Sequence, residues 1–346
     1  MLGPALNVKG GVSSVEKLMI NNTSLKINHY PTMHDRSLIG RIRNWSFRII
    51  SWPFRTFYRR PDLIHIHFSH SLSTWRKLIL LRCWKLSKVP VILHSHSSDY
   101  MEYFPNLPRI LQRWVSKSIS MADKLIVLSE SWQSFFINEV GIDKNNIVVL
   151  MNPINIPNHI MSFDKLSNSI LFCGRIGVRK GVFNLLDAWS MLDIELRKKF
   201  QLIITGDGEI GRAKSMINDL KISSSVKVLG WINDDELREH MEKSCIYILP
   251  SLNEGLPMGL LEAMSYGKSS ITTRVGGIPE IISHKENGYL LESGSINDIN
   301  IGLNEVLNDI NLRRLIGKNA RKSVKKLSIQ NYMKNMEDIW LEVIRN

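Results

Sequence analysis

The chain has 346 residues, 44% hydrophobic and 22% charged, close to ordinary globular usage, which excludes a disordered or fibrous body. That length suits two hydrophobic cores better than one. A net charge of +13 and an isoelectric point of about 9.6 favour an anionic partner: nucleic acid, an anionic membrane surface or a phosphorylated small molecule.

From the start, Met1 to Leu6 leave little room for a strand ahead of Gly10-Gly11. Either the chain begins inside its first strand or an edge strand is shortened. Val8-Lys9-Gly10-Gly11-Val12 then leads into a helix expected from Ser13. Paired glycines let backbone approach a ligand, and a helix N-terminus offers unpaired N–H groups to phosphate. A Gly-Gly turn before a helix is also common without any ligand. Between Arg36 and Arg60 stand seven arginines and no acid, interleaved with Trp45, Phe47, Trp52, Phe54, Phe57 and Tyr58. Leu38, Ile42, Trp45 and Ile49 recur at helical spacing, and Pro53 ends the pattern. A basic, aromatic, amphipathic helix suits a bilayer interface; an ordinary surface helix with its stripe turned to its own domain is the alternative.

Short apolar runs at 62–67, 89–93, 124–129 and 147–150 read as strands, with helices expected over 73–87 and 107–121. Asn152-Pro153-Ile154-Asn155-Ile156-Pro157 and the polar residues to Asn168 read as a linker. The pattern restarts with strands at 169–173, 201–205, 226–229, 246–249 and 270–273. Alternating strands and helices predict an α/β fold of two doubly wound, Rossmann-like domains. Their expected limits are 1–155 and 165–330, with a last helix over 331–346 returning to the first. Ligands of such sheets bind outside the carboxyl ends of the strands, so an interdomain cleft is expected.

Cys83, Cys173 and Cys245 are scattered, with no C-x-x-C pairing, which argues against zinc or redox motifs and suits a reducing cytoplasm. No run reaches about 18 apolar residues, and the N-terminus lacks a signal-peptide core, so any membrane contact is expected to be peripheral.

Four clusters stand where such sheets place a ligand. Gly10-Gly11 is the first. The second is Phe172-Cys173-Gly174-Arg175-Ile176-Gly177-Val178-Arg179-Lys180-Gly181, where Arg175 and Lys180 sit on a glycine-rich turn able to neutralise a diphosphate. The third runs from Glu254-Gly255-Leu256-Pro257 to Glu262. Pro257 and Gly259 suit a tight turn into a helix over 260–266, with Glu262 expected in its first turn. Both carboxylates can accept from a diol, and the amides of Met258, Gly259 and Leu260 can meet phosphate. The fourth is histidine-rich: His65, His67, His94 and His96. A strand-end histidine can orient or protonate a ligand near neutral pH. No carboxylate or cysteine spacing accompanies them, so a metal centre is not expected; His65 and His67 are expected to be structural.

Gly10-Gly11-Val12, His94, Asn152-Pro153, Gly174-Arg175, Lys180-Gly181, Gly206-Asp207-Gly208, Glu254 to Glu262-Ala263-Met264, Gly276-Gly277-Ile278-Pro279-Glu280 and Asn287-Gly288-Tyr289-Leu290 occur in one order. Together they resemble the retaining glycosyltransferases of family four, which have the GT-B fold. The resemblance implies that Glu262 grips the nucleotide ribose and Glu254 contacts donor sugar hydroxyls. Arg175 and Lys180 look like the diphosphate clamp, with Gly10 and Gly11 approaching the phosphates from the other domain. His94 would sit near the transferring sugar, with His96 as its competitor for that motif position. Retention at the anomeric carbon and independence from divalent metal and other cofactors are implied too, in keeping with the missing Asp-x-Asp motif. The acceptor implied is a saccharide, and the basic segment points to a lipid-linked one at the cytoplasmic membrane face. A nucleic-acid-binding protein would need neither the two glutamates nor the glycine turns, so no nucleic-acid partner is expected. A nucleotide-sugar epimerase of the same architecture and a non-catalytic binding module are the remaining rivals.

Overall fold

The computed structural model describes residues 1–8, 10–33, 60–96 and 99–345. The segment read as an amphipathic arginine helix lies outside the described residues except for Arg60. The chain divides into two compact units, Met1–Pro153 with Ile329–Asn346, and Ile154–Ser328.

The first unit holds β1 (Leu2–Pro4), β2 (Tyr30–Met33), β3 (Ile64–Phe68), β4 (Val91–Ser95), β5 (Lys124–Val127) and β6 (Ile147–Val149). They form one parallel sheet in the order β2-β1-β3-β4-β5-β6. The start of the chain is thus a strand inside the sheet rather than a shortened edge; β2 takes the edge, paired Leu2 to Tyr30. Leu2-Gly3-Pro4 offers neither an alternation nor an apolar run by which a strand can be read. β3 and β4 are buried along their whole length, as parallel strands covered on both faces must be. Phe68, Tyr100 and Phe136 fill the core beneath them. The expected helix over 107–121 is Arg109–Ile119, begun by Pro108, and the helix expected from Ser13 already starts at Gly11. The last helix, Ile329–Arg345, packs on this unit through a Thr23 Oγ1 to Glu337 bond of 2.6 Å and a Lys124 to Glu342 ion pair of 3.1 Å.

The second unit comprises β7 (Ser167–Cys173), β8 (Gln201–Thr205), β9 (Val226–Gly230), β10 (Ser244–Leu249), β11 (Ser269–Thr273) and β12 (Tyr289–Leu291). The parallel order is β12-β11-β10-β7-β8-β9, with β10 and β7 at its centre. Trp189, Phe172 and Phe200 are its largest buried apolar groups. The stretch read as a linker is not loose: Ile154 N–H donates to the Leu327 carbonyl at 3.0 Å, and Arg321 donates to the Pro157 carbonyl at 2.6 Å. Among the described residues no helix is long and apolar enough to cross a membrane.

Candidate functional site

In the second unit the loops leaving β7, β8 and β10 form one laced layer at the carboxyl ends of the strands. Ile176 N–H donates to the Asp207 carbonyl at 2.6 Å, Gly174 N–H to Thr205 at 3.0 Å, and Leu252 N–H to Arg179 at 2.8 Å. Two motif glycines make this lacing possible. A Cβ on Gly181 (φ 71°) would lie 2.0 Å from the Pro250 carbonyl oxygen, and one on Gly276 (φ 55°) 1.9 Å from that of Glu254. Positive φ and backbone contact together leave room only for glycine.

Lys180 and Glu254 are brought together more closely than the sequence implied. The ammonium donates directly to Glu254 Oε1, which also accepts from Ser251 Oγ at 2.7 Å, and Arg179 stands 4.0 Å from Oε2. Glu254 is buried and Lys180 half-buried, so each charge compensates the other. Arg175 is exposed on the same turn, and no ion pair engages it among the described residues.

Glu262 differs from its expected place. The helix is Met258–Ser265 with Pro257 as its cap, so Glu262 falls in the second turn, not the first. Among the described residues no cation is paired with it, and it is half-buried. Burial, with Asp234 as a lesser cause, pushes its carboxyl up to about 7. Leu260 needs correction as well: its N–H donates to the Pro257 carbonyl at 3.2 Å. The amides that precede the first intrahelical bond are therefore those of Met258 and Gly259. Tyr247 explains why residue 259 is glycine. Its buried hydroxyl donates to the Cys173 carbonyl at 3.3 Å and stands 2.7 Å from where a Cβ would be. Sequence reasoning passed over Tyr247 and Ser251; a polar-tipped aromatic inside an aliphatic strand was the only signal for the former.

In the first unit Gly10 caps the helix Gly11–Asn21 with φ 151°, and open space surrounds its missing Cβ. His65, His67 and His94 lie on one face of β3 and β4, with His96 just beyond β4, and that face meets Glu16 of the first helix and Trp340 of the last. His94, expected at the strand end, is instead the penultimate residue of β4 and wholly buried. The strand simply runs two residues further than its apolar letters. His96 is the first residue beyond the strand and only half-buried. His67 Nδ1 and His96 Nε2 share a bond of 2.8 Å, and His65 Nε2 and His94 Nδ1 one of 3.3 Å. Burial lowers the pKa of all four, that of His96 to about 3 with Lys77 adding to the effect. Ring nitrogens of His65, His67 and His94 lie within 4.8 Å of one another, a grouping the sequence spacing did not disclose. Also missed were Glu16 and Lys77, buried members of otherwise ordinary helices. Glu16 pairs with His29 at 3.0 Å, and Lys77 donates to the Leu2 carbonyl at 3.1 Å with burial lowering it to about 7.

Sequence comparison supplies the relatives. Residues 160–323 match Glycosyl transferases group 1, and residues 21–157 match Glycosyltransferase Family 4. An uncharacterised glycosyltransferase of Methanocaldococcus jannaschii is 30% identical over 284 residues, 82% of this chain and 76% of that protein. The UDP-Gal:α-D-GlcNAc-diphosphoundecaprenol α-1,3-galactosyltransferase of Escherichia coli is 24% identical over 82% of this chain and 76% of its own length. Among solved structures, Anabaena HepE in complex with UDP superposes with a TM-score of 0.73 at 18% identity, over 94% of this chain and 89% of that one. Two parallel six-stranded sheets and two family matches in series agree: the chain is a GT-B glycosyltransferase of group 1 and family four.

Proposed function

We propose that this glycosyltransferase moves a sugar from a nucleotide-sugar donor to a saccharide acceptor with retention at the anomeric carbon and without a divalent metal. The observation that carries the donor assignment is the laced loop layer of the second unit. It gathers Arg175, Lys180, Glu254, Glu262 and the Met258 and Gly259 amides at one set of strand ends. Glu262, as a carboxylate, accepts from the ribose diol. Glu254 accepts from donor sugar hydroxyls, and Arg175, Lys180 and the helix amides meet the diphosphate. As the glycosidic bond breaks, negative charge grows on the leaving nucleoside diphosphate. Two cations and two fixed N–H groups stabilise that charge. Of His94 and His96, the half-buried His96 just beyond β4 is favoured over the wholly buried His94 as the histidine that meets the transferred sugar. The UDP held by the HepE structure supports a uridine nucleotide.

The E. coli relative is named for a diphosphoundecaprenol acceptor, which supports a lipid-linked saccharide here and peripheral contact with the cytoplasmic face of a membrane. A surface of matching chemistry exists in the first unit. The helices Leu72–Leu86 and Arg109–Ile119 contain no acid, and they are joined by Trp75 and Trp114 stacked at 5.3 Å. Arg109, Arg113 and Lys117 are exposed on the second of these helices, as is Ile110 at 78%.

The test is thermal stabilisation against a panel of nucleotides and nucleotide-sugars, with and without magnesium. A shift selective for one nucleoside diphosphate and indifferent to magnesium is expected. No shift with any of them would refute the donor site. Epimerisation of the free donor in the absence of acceptor would refute transfer.

A further inference from the structure

The buried histidines carry a proton pattern that their partners dictate. Trp340, on the last helix, donates its indole N–H to His65 Nδ1 at 3.0 Å. An indole nitrogen is a donor only, so His65 Nδ1 must be the acceptor. Burial holds His65 neutral, so its one ring proton is on Nε2. That nitrogen faces His94 Nδ1 at 3.3 Å, which must in turn accept. His94 is neutral for the same reason, and its proton is therefore on Nε2, a buried atom with no protein partner among the described residues. The ring of His94 lies 4.1 Å, centroid to centroid, from that of His96.

The same bond bears on metal binding. A spacing of 3.3 Å between His65 Nε2 and His94 Nδ1 suits two ligands of one ion with bonds of about 2.0–2.1 Å. A histidine that ligates through Nε2 carries its proton on Nδ1 and gives it to an acceptor. Here Nδ1 of His65 meets a donor, which opposes an ion at that point.

We propose that Trp340 is a positioning residue for the histidine cluster: its indole N–H fixes His65 and His94 as Nε2–H tautomers, and the His94 ring so held is the packing wall of His96, whose own hydrogen bond is to His67 Nδ1 at 2.8 Å. The link to turnover rests on His96 facing the transferred sugar, as proposed above; the tautomer claim stands on hydrogen bonding alone.

Long-range proton–nitrogen NMR on the full chain, labelled with ¹⁵N-histidine and assigned with His65→Gln and His94→Gln, reads the tautomers directly. The wild-type protein at neutral pH is expected to show both residues neutral with the proton on Nε2. In Trp340→Phe both become tautomer mixtures. That variant's kcat falls roughly two- to tenfold, the equivalent of one net hydrogen bond, with KM for the donor unchanged. An Nδ1–H or doubly protonated His65 in the wild type overturns the proposal, and needs no variant to fold. So does stoichiometric Zn²⁺ binding that His65→Gln abolishes. Mixed tautomers in Trp340→Phe with unchanged kcat overturn the positioning role. Nucleotide stabilisation measured on the same samples reports the donor site separately, so its loss would indict the functional assignment instead.

Discussion

Glu262→Gln separates stability from function, because the free protein bears the cost of a carboxylate that only a ligand relieves. The glutamine keeps the shape and removes the charge. In the folded chain the carboxyl stands at about 7, raised by burial and by Asp234, against 4.5 in an unfolded chain. The folded state thus holds the proton more tightly. The stability contribution of Glu262 is complete below pH 4.5, declines between about 4.5 and 7, and is absent above. At 1.36 kcal/mol per pH unit the full span corresponds to about 3 kcal/mol. Solvent reaching this half-buried side chain reduces the effect to about 1 kcal/mol. Differential scanning fluorimetry of ligand-free protein should place Glu262→Gln about 2–4 °C above wild type at pH 8 and level with it at pH 5. Titration with a nucleotide-sugar should show the opposite sign. Loss of a charged acceptor weakens binding roughly ten- to a hundredfold at pH 8. Wild-type affinity should rise from pH 6 to 8 while that of the variant stays flat. A variant less stable than wild type at pH 8, or one binding the nucleotide-sugar as well as wild type, would refute the reasoning.

Two further outcomes follow from contacts on other elements. Gly259→Ala sets a Cβ 2.7 Å from the Tyr247 hydroxyl, which is held in a strand and has little freedom to yield. A destabilisation of about 1–3 kcal/mol is expected in denaturant unfolding. Adding Tyr247→Phe should recover most of it; a double variant no better than Gly259→Ala alone would exclude the clash as the cause. Anionic vesicles should co-sediment the protein at low salt and release it as salt rises. Replacing Arg109, Arg113 and Lys117 with glutamine should weaken that binding, and no sedimentation at low salt would remove the membrane contact.

The parallel strands were legible because burial on both faces leaves near-continuous apolar runs, as in Ile246-Tyr247-Ile248-Leu249. β1, β2 and β12 were not: Leu2–Pro4, Tyr30–Met33 and Tyr289–Leu291 lack the β-branched run that marks the similarly short Ile147–Val149. The site was legible as residue types at strand ends, but not as pairings. Nothing in the spacing of Lys180 and Glu254 says that they bond across 74 positions. Strand ends were the weakest point, and there an error of two residues mattered. It turned His94 from a strand-end group into a buried one and left His96 in its place. The buried Glu16 and Lys77 lay hidden for a related reason: a charged letter on a helix reads as solvent-facing until the partner beneath it is known, and Trp340 gave no sign that its N–H meets a histidine.

The two glutamates that begin and end one motif stand in opposite electrostatic states. Glu254 is already compensated by Lys180, whereas Glu262 has no cation paired with it among the described residues and holds its proton to about 7. On the proposed assignment, a diphosphate arriving at the loop layer competes with Glu254 for Lys180. That exchange frees Glu254 Oε1 for sugar hydroxyls, so phosphate binding prepares the sugar contact. A bare nucleoside diphosphate breaks the ion pair and gains no sugar contact in return. Glu254→Gln should consequently bind nucleoside diphosphate roughly three- to tenfold more tightly than wild type, because the charge-assisted bond is no longer broken. The same variant should transfer sugar more slowly, having lost the carboxylate that the sugar hydroxyls require. Isothermal titration with UDP and turnover with UDP-sugar read the two effects independently. Weaker UDP binding in Glu254→Gln would mean that Glu254 serves to hold Lys180 in place for the phosphates, and the exchange would be excluded.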